Sequence, residues 1–384
     1  MASHRHIATL TATLRTWARG PALFIAEEIL QPPGGKMKHR ILAALAAAAL
    51  AITTVAAVPG TAKADETDTV KVDVWLQGHT NGLLDLRTGS VSYYDNGGWH
   101  QVSGLNPNDQ RIARAEVKPG TYSFAVDYNG TRAQKQVTVG QSSQAVYFHA
   151  ALVKLDLRDS KGNPLSVDAN GASYYANGWH NFDPNVGVEL QPGTYPFTAT
   201  YNGTRQQKTF TVLAKNPNNL ANAVQTVSFQ TTWVNVWLAG DTVAPLDLRN
   251  GSATYFADGS WRPITGVNVN NGKMVTAEML PGTYSFAVAW NGMRDQQNSV
   301  VVGTSDKSVR FDTALVKATV NGEVPDSASF FAGTWQSLGD GAQMLPGTYT
   351  FRVVKDGVQQ QKSYTVVKKN PNNGANKLQI VEFP

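Results

Sequence analysis

Four short segments of the sequence place two adjacent aromatic residues a few positions before a tryptophan. Neighbouring side chains of a β-strand point to opposite faces, so one ring of each pair must turn away from the core. An outward ring beside the tryptophan would form a flat platform on which a sugar ring stacks, while nearby Asn, Asp and Arg side chains bond its hydroxyls. The candidate ligand-binding residues are Tyr93, Tyr94 and Trp99, then Tyr174, Tyr175 and Trp179, and then Tyr255 and Trp261, which flank Phe256.

These aromatic segments have a structural alternative. Each tryptophan could fold over the neighbouring ring and close the end of a domain or a joint between domains, which would leave no platform. The fourth segment, Phe330-Phe331 followed by Trp335, is the least suited to a sugar because it has two Phe and lacks the Asn-Gly-Trp run.

No catalytic or metal-binding motif accompanies the aromatic segments. The sequence has no cysteine, no Gly-x-Ser-x-Gly elbow and no His-Glu-x-x-His. His100 and His180 each follow a tryptophan, but one His per segment falls short of the converging ligands that a metal needs. Asp156, Asp159 and Asp168 are too sparse for calcium and are expected to form turns. We therefore expect a protein that is not an enzyme, with no catalytic residue, metal site or cofactor.

The elements that must position the aromatic residues are hairpins, because the chain repeats one hairpin four times. Each copy begins Pro-Gly-Thr-Tyr, continues with alternating large apolar residues, and reaches Asn-Gly or Asp-Gly at a constant spacing. These dipeptides tolerate the positive φ of a type I′ turn. The polar strand that follows is expected to protect a sheet edge, with a ligand-facing surface as the alternative. The copies begin at Pro119, Pro192, Pro281 and Pro346, and their turns are Asn129-Gly130, Asn202-Gly203, Asn291-Gly292 and Asp356-Gly357.

Two kinds of repeat alternate along the chain. The first and third share Val-Trp-Leu and Leu-Asp-Leu-Arg, whereas the second and fourth share Ala-Leu-Val-Lys and Lys-Asn-Pro-Asn-Asn. This pattern indicates that an A–B pair was duplicated. The predicted domains are repeat A1 at 65–149, B1 at 150–231, A2 at 232–312 and B2 at 313–384.

The strand pattern predicts the fold class. Short strands alternate with turn residues in every repeat, and helical periodicity is absent beyond the N-terminal region. We therefore predict an all-β chain of four tandem β-sandwich repeats of immunoglobulin or prealbumin type. One predicted strand of repeat A1 covers Leu83–Arg87. Because the last strand of one repeat nearly reaches the first strand of the next, we expect stiff connections.

The N-terminal region has the order of a secretory leader. A basic stretch from Met37 to Arg40 precedes an apolar run and the small-residue site Ala62-Lys63-Ala64, which predicts a signal peptide over 37–64 rather than a membrane anchor. Residues 1–36 are interpreted as a misassigned extension. Beyond residue 64 acidic and basic side chains are equal in number, so no nucleic-acid partner is expected. We predict a secreted protein without a membrane span after cleavage, with non-covalent attachment to the cell surface as an alternative.

The Pro-Gly-Thr-Tyr-x-Phe phrase and its Gly hairpin, preceded by Tyr-Tyr-x-Asn-Gly-Trp, resemble a known family. They are similar to bacterial secreted and surface proteins with tandem carboxypeptidase-regulatory-like β-sandwiches, over residues 70–384. The resemblance implies a stalk, an adhesive surface or an accessory region. Related adhesin domains join a Lys to an Asn beside a Glu, but no Asn recurs in the last strand here. Glu116, Glu189 and Glu278 recur before Pro-Gly, with Gln343 in the fourth repeat, and the three Glu are expected to be solvated or paired locally.

Three functions are compatible with the sequence. The first is a secreted, non-enzymatic protein that binds polysaccharide or cell-surface glycan through its repeated aromatic surfaces, with avidity from the four copies. The second is a structural or adhesive extracellular rod whose aromatics are buried at joints and which binds proteins or itself. The third is a secreted accessory or inhibitor protein. Solvent exposure of the tryptophans separates the first two.

Overall fold

The structure is a computed structural model of the 384-residue chain and describes residues 68–106, 109–267 and 272–384. The predicted extension and signal peptide lie outside the described residues. The described residues belong to one compact unit, Asp65–Pro384, and within them strands are joined by turns and two short 3-10 helices, without an α-helix. No helix in these ranges is long and apolar enough to cross a membrane. The predicted all-β class is confirmed.

The first two repeats each contain eight short strands. Repeat A1 has β1 (Val70–Gln77), β2 (Ser90–Asp95), β3 (Gly98–Gln101), β4 (Leu105–Asn106), β5 (Asp109–Val117), β6 (Gly120–Tyr128), β7 (Thr131–Val139) and β8 (Gln144–His149), with a 3-10 helix over Leu86–Thr88. Repeat B1 has β9 (Ala151–Arg158), β10 (Pro164–Leu165), β11 (Ala172–Tyr175), β12 (Trp179–Asn181), β13 (Val188–Leu190), β14 (Gly193–Tyr201), β15 (Thr204–Val212) and β16 (Val224–Gln230).

The second pair of repeats follows the same plan. Repeat A2 has β17 (Thr232–Ala239), β18 (Gly251–Ala257), β19 (Ser260–Pro263), β20 (Gly266–Val267), β21 (Met274–Met279), β22 (Gly282–Trp290), β23 (Met293–Val302) and β24 (Lys307–Asp312), with a 3-10 helix over Leu248–Asn250. Repeat B2 has β25 (Ala314–Val320), β26 (Ser327–Ala332), β27 (Thr334–Ser337), β28 (Ala342–Met344), β29 (Gly347–Lys355), β30 (Val358–Val366) and β31 (Leu378–Phe383).

Each repeat consists of two sheets. One sheet is antiparallel and carries the aromatic pair, and it is termed the aromatic sheet; the other is termed the opposite sheet. The opposite sheet joins the first and last strands of the repeat in parallel, as β1 with β8 and β17 with β24. The aromatic sheets have the strand orders β3-β2-β6-β7, β12-β11-β14-β15, β19-β18-β22-β23 and β27-β26-β29-β30.

The two sheets enclose a hydrophobic core, which makes each repeat a β-sandwich. In A1, Val72 and Val74 of the opposite sheet and Phe124 and Val126 of the aromatic sheet belong to one buried cluster. Alternate residues of β1 and β6 are buried, as expected for strands with one face on a core. Apolar burial also continues between repeats, because Leu280 of A2 joins the core of B1 and the cores of A2 and B2 form one cluster.

The four predicted hairpin turns are confirmed. Asn129 and Gly130 have φ angles of 49° and 71°, and they connect Tyr128 directly to its cross-strand partner Thr131. Two positive φ angles in a two-residue loop define the type I′ turn. The polar strand after each turn lies at the edge of its sheet, in agreement with its predicted role in protecting that edge.

The predicted strand over Leu83–Arg87 is wrong. Leu83 forms only an isolated bridge to Gln77, and a 3-10 helix then covers Leu86–Thr88. The cause is Asp85, whose carboxylate accepts a hydrogen bond from the backbone N of Arg87 at 2.9 Å and so caps the helix. The same side chain pairs with the Arg87 guanidinium, which holds the pKa of Asp85 down at about 2.

The joints place each hairpin turn against the next aromatic sheet. The Tyr174 hydroxyl donates to the carbonyl of Asn129 at 3.0 Å, and the Tyr255 hydroxyl donates to the carbonyl of Asn202 at 2.6 Å. The third joint is as tight as the first, because a Cβ added to Gly292 would lie 2.4 Å from the Ala332 carbonyl oxygen and one added to Gly130 would lie 2.5 Å from the Ala176 carbonyl oxygen. At each joint the hairpin turn therefore contacts the aromatic sheet of the following repeat.

The Glu position before Pro-Gly also belongs to the joints. Glu189 Oε1 accepts a hydrogen bond from the backbone N of His79 at 3.1 Å and contacts its Nδ1. Glu278 Oε1 accepts from Thr231 Oγ1 at 2.7 Å. The expectation that these two carboxylates are solvated or paired locally is wrong, because the neighbouring repeat supplies the partner.

The residues at this position in the other two repeats, Gln343 and Glu116, also follow the presence or absence of a preceding repeat. Gln343 Oε1 accepts from the backbone N of Asp241 at 3.0 Å and from Thr313 Oγ1 at 2.6 Å. Glu116 of A1 is exposed, and no described repeat precedes A1. The Glu or Gln at this position is therefore half-buried only where a preceding repeat covers it.

Buried lysines close the two A-to-B joints. Lys215 Nζ donates to the Gly78 carbonyl and, at 2.7 Å, to Asn81 Oδ1. Lys369 Nζ makes the equivalent contact with the Gly240 carbonyl. Both lysines are at most 4% exposed, so their ammonium groups exchange water for partners on the preceding repeat.

Candidate functional site

The second ring of every aromatic pair faces solvent. Tyr94, Tyr175, Phe256 and Phe331 are 42%, 45%, 40% and 45% exposed. The first ring faces the core, where Tyr174 is 3% and Phe330 2% exposed. The prediction that one ring of each pair points outward is confirmed, and the strand alternation that motivated it is the cause.

Three of the candidate residues are consequently absent from the outer surface. Tyr93 packs against the A1 core and stacks on His100 at 5.3 Å. Tyr174 and Tyr255 face inward, and their hydroxyl groups donate the hydrogen bonds at the joints described above. Burial raises the pKa of Tyr174 to about 12. These three tyrosines support the fold and the joints rather than a platform.

The tryptophans lie on the edge strand of each aromatic sheet, directly across from the outward ring. Trp99 pairs with Tyr94 in the strand register, and their ring centroids are 5.5 Å apart with an interplanar angle of 63°. Tyr175 and Trp179 meet at 5.5 Å and 70°. The rings are therefore edge-to-face, and the expectation of a flat platform is wrong in this respect.

The tryptophans are nevertheless accessible. Trp99, Trp179 and Trp335 are 42%, 46% and 38% exposed, and Trp261 is half-buried. None of them has the fully buried position that the joint-closing alternative requires. Each repeat thus presents an outward ring and an accessible indole, termed its platform.

An arginine covers one side of each tryptophan, and this contact was not predicted. The guanidinium carbons of Arg132, Arg205 and Arg294 lie 4.4, 5.1 and 4.5 Å from the ring centroids of Trp99, Trp179 and Trp261. A cation over an aromatic face at this distance is attracted by the negative face of the ring. In the sequence these arginines belong to the polar strand after the turn, far from the tryptophans.

The tryptophan and the arginine cross the aromatic sheet over small residues. In A1, Ser92 and Ala125 are cross-strand partners on the outward face, yet they are 9% and 0% exposed. Arg132 Nη2 donates to Ser92 Oγ at 3.3 Å. Because these small side chains on the outer face are buried, the Trp99 and Arg132 side chains must lie flat across them. This packing holds the indole in place.

The platforms of B1 and B2 border shallow depressions. The depression beside Trp179 and Arg205 has a volume of about 290 Å³ and is lined by the polar residues Asn170, Ser173 and Asn181. The one beside Trp335 and Arg352 has a volume of about 470 Å³ and is lined by Ser329, Gln336 and Gln359. An aromatic wall with hydrogen-bonding side chains around it is the usual composition of a site for a small polar ligand.

The platforms of B1 and A2 are continuous. A depression of about 440 Å³ at their joint is lined by Thr200, Gly203 and Arg205 of B1 and by Phe256 and Asp258 of A2. Arg205 also lines the depression beside Trp179. A ligand that follows the surface therefore passes from Trp179 over Arg205 to Phe256 without leaving a groove.

Metal-ligand geometry is absent from the described ranges, where no group of three His, Cys, Asp or Glu side chains converges. The two histidines that follow tryptophans have structural contacts instead. His180 Nε2 lies 3.0 Å from the Ala176 carbonyl oxygen, and the ring stacks on Tyr174. Asp159 accepts hydrogen bonds from the backbone N of Lys161 and of Asn163, as expected for a turn.

Comparison with known proteins gives structural likenesses only. No protein-family model matches the chain, and no curated protein sequence matches it. The chain is similar to the Bacillus anthracis TIE protein at 11% identity, over 77% of this chain and 68% of that chain, with a TM-score of 0.18. It is similar to the pilus adhesin SpaC of Lactobacillus rhamnosus GG at 10% identity, over 82% of this chain and 43% of that chain, with a TM-score of 0.25. For a streptococcal ancillary pilin the identity is 11%, the coverage 82% and 98%, and the TM-score 0.21.

At these TM-scores the whole molecules do not superimpose, and the fold class rests on the sheets of the chain itself. The resemblance to carboxypeptidase-regulatory-like repeats extends to tandem β-sandwiches, and membership of that family stays a prediction.

Proposed function

We propose that the protein is a secreted, non-enzymatic adhesive protein that binds polysaccharide through the platforms of its aromatic sheets. The observation that carries the proposal is the accessible tryptophan beside an outward ring in each repeat, with the platforms of B1 and A2 joined by one groove. Exposed aromatic side chains that form a contiguous patch commonly mark an interaction site. Sugar C–H groups stack on such rings, and the Ser, Thr, Asn and Gln side chains around them match sugar hydroxyls.

The repetition explains how shallow sites give useful affinity. An edge-to-face ring pair on an open surface buries only part of one sugar, so a single platform binds weakly. Linked sites convert later contacts with the same polymer into intramolecular ones, which raises the overall affinity by about 10²–10⁴ without new contacts. The hydrogen-bonded joints keep the platforms in line, which suits a polymer with regularly spaced sugars.

The test is retention of residues 65–384 on insoluble polysaccharides and on a glycan array, before and after Trp179→Ala and Trp261→Ala. The matched control is Tyr147→Ala, which removes a ring with 40% exposure from the opposite sheet. Far-UV circular dichroism checks that each variant is folded. We expect both tryptophan variants to lose binding by tenfold or more, while Tyr147→Ala and the wild type bind equally.

Two outcomes would overturn the proposal. Retention that survives loss of all four platform tryptophans, Trp99, Trp179, Trp261 and Trp335, would place the binding surface elsewhere. Absence of retention on every polysaccharide would favour the second candidate, a structural rod or spacer. That candidate is supported by the joints, where Glu189, Glu278 and Gln343 each bond the preceding repeat.

A further inference from the structure

We infer that the platforms of B1 and A2 select an acidic polysaccharide, one whose sugars carry carboxylate or sulfate groups. The inference rests on the proposed function and adds the charge of the ligand. It starts from a difference between the platform of A1 and the platforms of the next two repeats, which also combine an outward ring, a tryptophan and an arginine at the same positions.

The platform of A1 is electrically neutral. Arg132 Nη1 forms an ion pair with Asp127 Oδ2 at 2.6 Å. Asp127 is the direct cross-strand partner of Arg132, so the register of the hairpin places the carboxylate beside the guanidinium. A ligand that meets this platform finds a guanidinium whose charge is already compensated.

The platforms of B1 and A2 lack that carboxylate. The cross-strand partner of Arg205 is Thr200, and the partner of Arg294 is Ala289. Within the residues that the structure describes, neither arginine forms an ion pair. Both side chains are exposed. Each of these two platforms therefore offers an uncompensated guanidinium directly beside an accessible indole.

A second guanidinium lies at the joint of B1 and A2. The side chain of Arg262 rests against the Asn202-Gly203 turn, where an added Cβ on Gly203 would lie 2.1 Å from Arg262 Nε. That Nε is buried without a hydrogen-bond partner. Two carboxylates lie near this guanidinium. Asp258 is 78% exposed and 3.9 Å from Arg262 Nη2, and both oxygens of Asp168 already accept hydrogen bonds from the backbone N of Asn202 and of Gly203.

This arrangement fits an anionic sugar better than a neutral one. A guanidinium presents N–H donors in a planar fork that matches the two oxygens of a carboxylate or of a sulfate. Stacking on the indole fixes the plane of the fork before binding, so less side-chain entropy is lost. A sugar that stacks on Trp179 or Phe256 thus brings its acidic group within reach of Arg205.

The experiment uses matched polymers with residues 65–384. Polygalacturonate is compared with highly methyl-esterified pectin, and dextran sulfate with dextran. In each pair the backbone is shared and only the anion differs, and the two pairs distinguish carboxylate from sulfate. We expect at least tenfold tighter binding to the anionic member of one pair, and a loss of that preference at high salt.

Two variants assign the preference to the arginine. Thr200→Asp copies the A1 arrangement and neutralises Arg205 while leaving its stacking on Trp179 in place. Arg205→Gln removes the charge. Each is expected to weaken binding to the anionic polymer by about tenfold, the value of one charge-assisted hydrogen bond. The matched control is Lys71→Gln, which removes one exposed positive charge from β1 of the opposite sheet and should change anion preference little.

The outcomes separate this inference from the proposed function. Equal binding of both members of each pair, with no effect of Thr200→Asp, overturns the inference and leaves polysaccharide binding intact. Anion-selective binding that survives both Thr200→Asp combined with Ala289→Asp and Arg205→Gln combined with Arg294→Gln overturns it by placing the anion site elsewhere. Absence of binding to all four polymers counts against the proposed function, and the inference falls with it.

Discussion

The guanidinium carbon of Arg352 lies 4.3 Å from the ring centroid of Trp335, although Arg352 comes from a different strand than its counterparts. In the first three repeats the arginine lies on the edge strand just after the hairpin turn, where B2 has Gln359. In B2 it lies on β29 next to Phe351, and its Nε donates to Ser329 Oγ at 3.2 Å. Two different strands supply the same contact, which indicates that the indole is held by a cation in every repeat.

This relationship predicts the effect of moving the arginine. Arg352→Ala should destabilise β27 by about 1 kcal/mol, because the indole loses its cation. Adding Gln359→Arg should recover part of the loss by restoring the arrangement of the other repeats. Hydrogen exchange with mass spectrometry measures the local opening free energy of this strand. Gln359→Ala alone is the control, and an equal effect of Gln359→Ala and Arg352→Ala would contradict the prediction.

Alanine substitutions at two turn glycines distinguish the stability lost through strain in the turn from the stability lost through a clash at the joint. Gly130 and Gly357 have φ angles of 71° and 73°, so alanine strains both turns by about 1 kcal/mol. A Cβ at Gly130 would also lie 2.5 Å from the Ala176 carbonyl oxygen of the next repeat, whereas one at Gly357 meets nothing within 4 Å. We expect Gly130→Ala to cost roughly 1–3 kcal/mol more than Gly357→Ala. Calorimetric unfolding of both variants measures this difference. Equal losses of stability would mean that the joint adjusts to the added Cβ without a free-energy cost.

The hairpins were predictable because their signals are local. Asn129-Gly130 adopts the conformation that its residue types favour, and the alternation around Phe124 follows from one buried face. The same alternation identified one outward ring per pair, and Tyr94 and Tyr175 are those rings. Such features depend on a few neighbouring residues, and no distant part of the chain is needed to derive them.

The joints and the arginine contacts were not predictable for the opposite reason. Glu189 has its partner His79 far away in the sequence and in another repeat, so alone it resembles any polar strand residue. Arg132 reaches Trp99 across two intervening strands, over Ser92 and Ala125. The fourth repeat shows the difficulty, because the arginine that meets Trp335 occupies a position that aligns with Ala125. These contacts depend on the three-dimensional register.

The buried lysine at the A2–B2 joint is expected to be essential for that joint. Lys369 is 1% exposed, donates to the Gly240 carbonyl, and lies 3.4 Å from Asp312 Oδ1. Lys369→Met keeps most of the volume but leaves these buried acceptors short of a donor, which should cost about 3 kcal/mol. The neighbouring Lys368 is exposed, so Lys368→Met should cost less than about 0.5 kcal/mol. Hydrogen exchange of β25 measures both, and a Lys369→Met protein with unchanged protection would refute the role of Lys369 in this joint.

A half-buried carboxylate in repeat A2 should make stability depend on pH. Asp295 Oδ1 accepts a hydrogen bond from the backbone N of Gln296 at 2.8 Å, but its Oδ2 is buried without a partner. Burial raises the pKa of Asp295 above its usual 3.8. The folded state therefore keeps this proton at pH values where the unfolded chain has lost it. The charge consequently costs stability above the raised pKa, and the cost disappears as the pH falls through the raised pKa to 3.8 and below.

Asp295→Asn should therefore raise the unfolding temperature at pH 7, and the gain should shrink towards zero at pH 3, where Asp295 is protonated in both states. Asp306→Asn is the control, because Asp306 is exposed and its replacement should leave the unfolding temperature nearly unchanged at both pH values. Calorimetric unfolding of the two variants and the wild type between pH 3 and pH 7 measures the effect. A gain that stays constant with pH would show that the amide acts through packing, and a loss at pH 7 would show that the carboxylate has a stabilising partner.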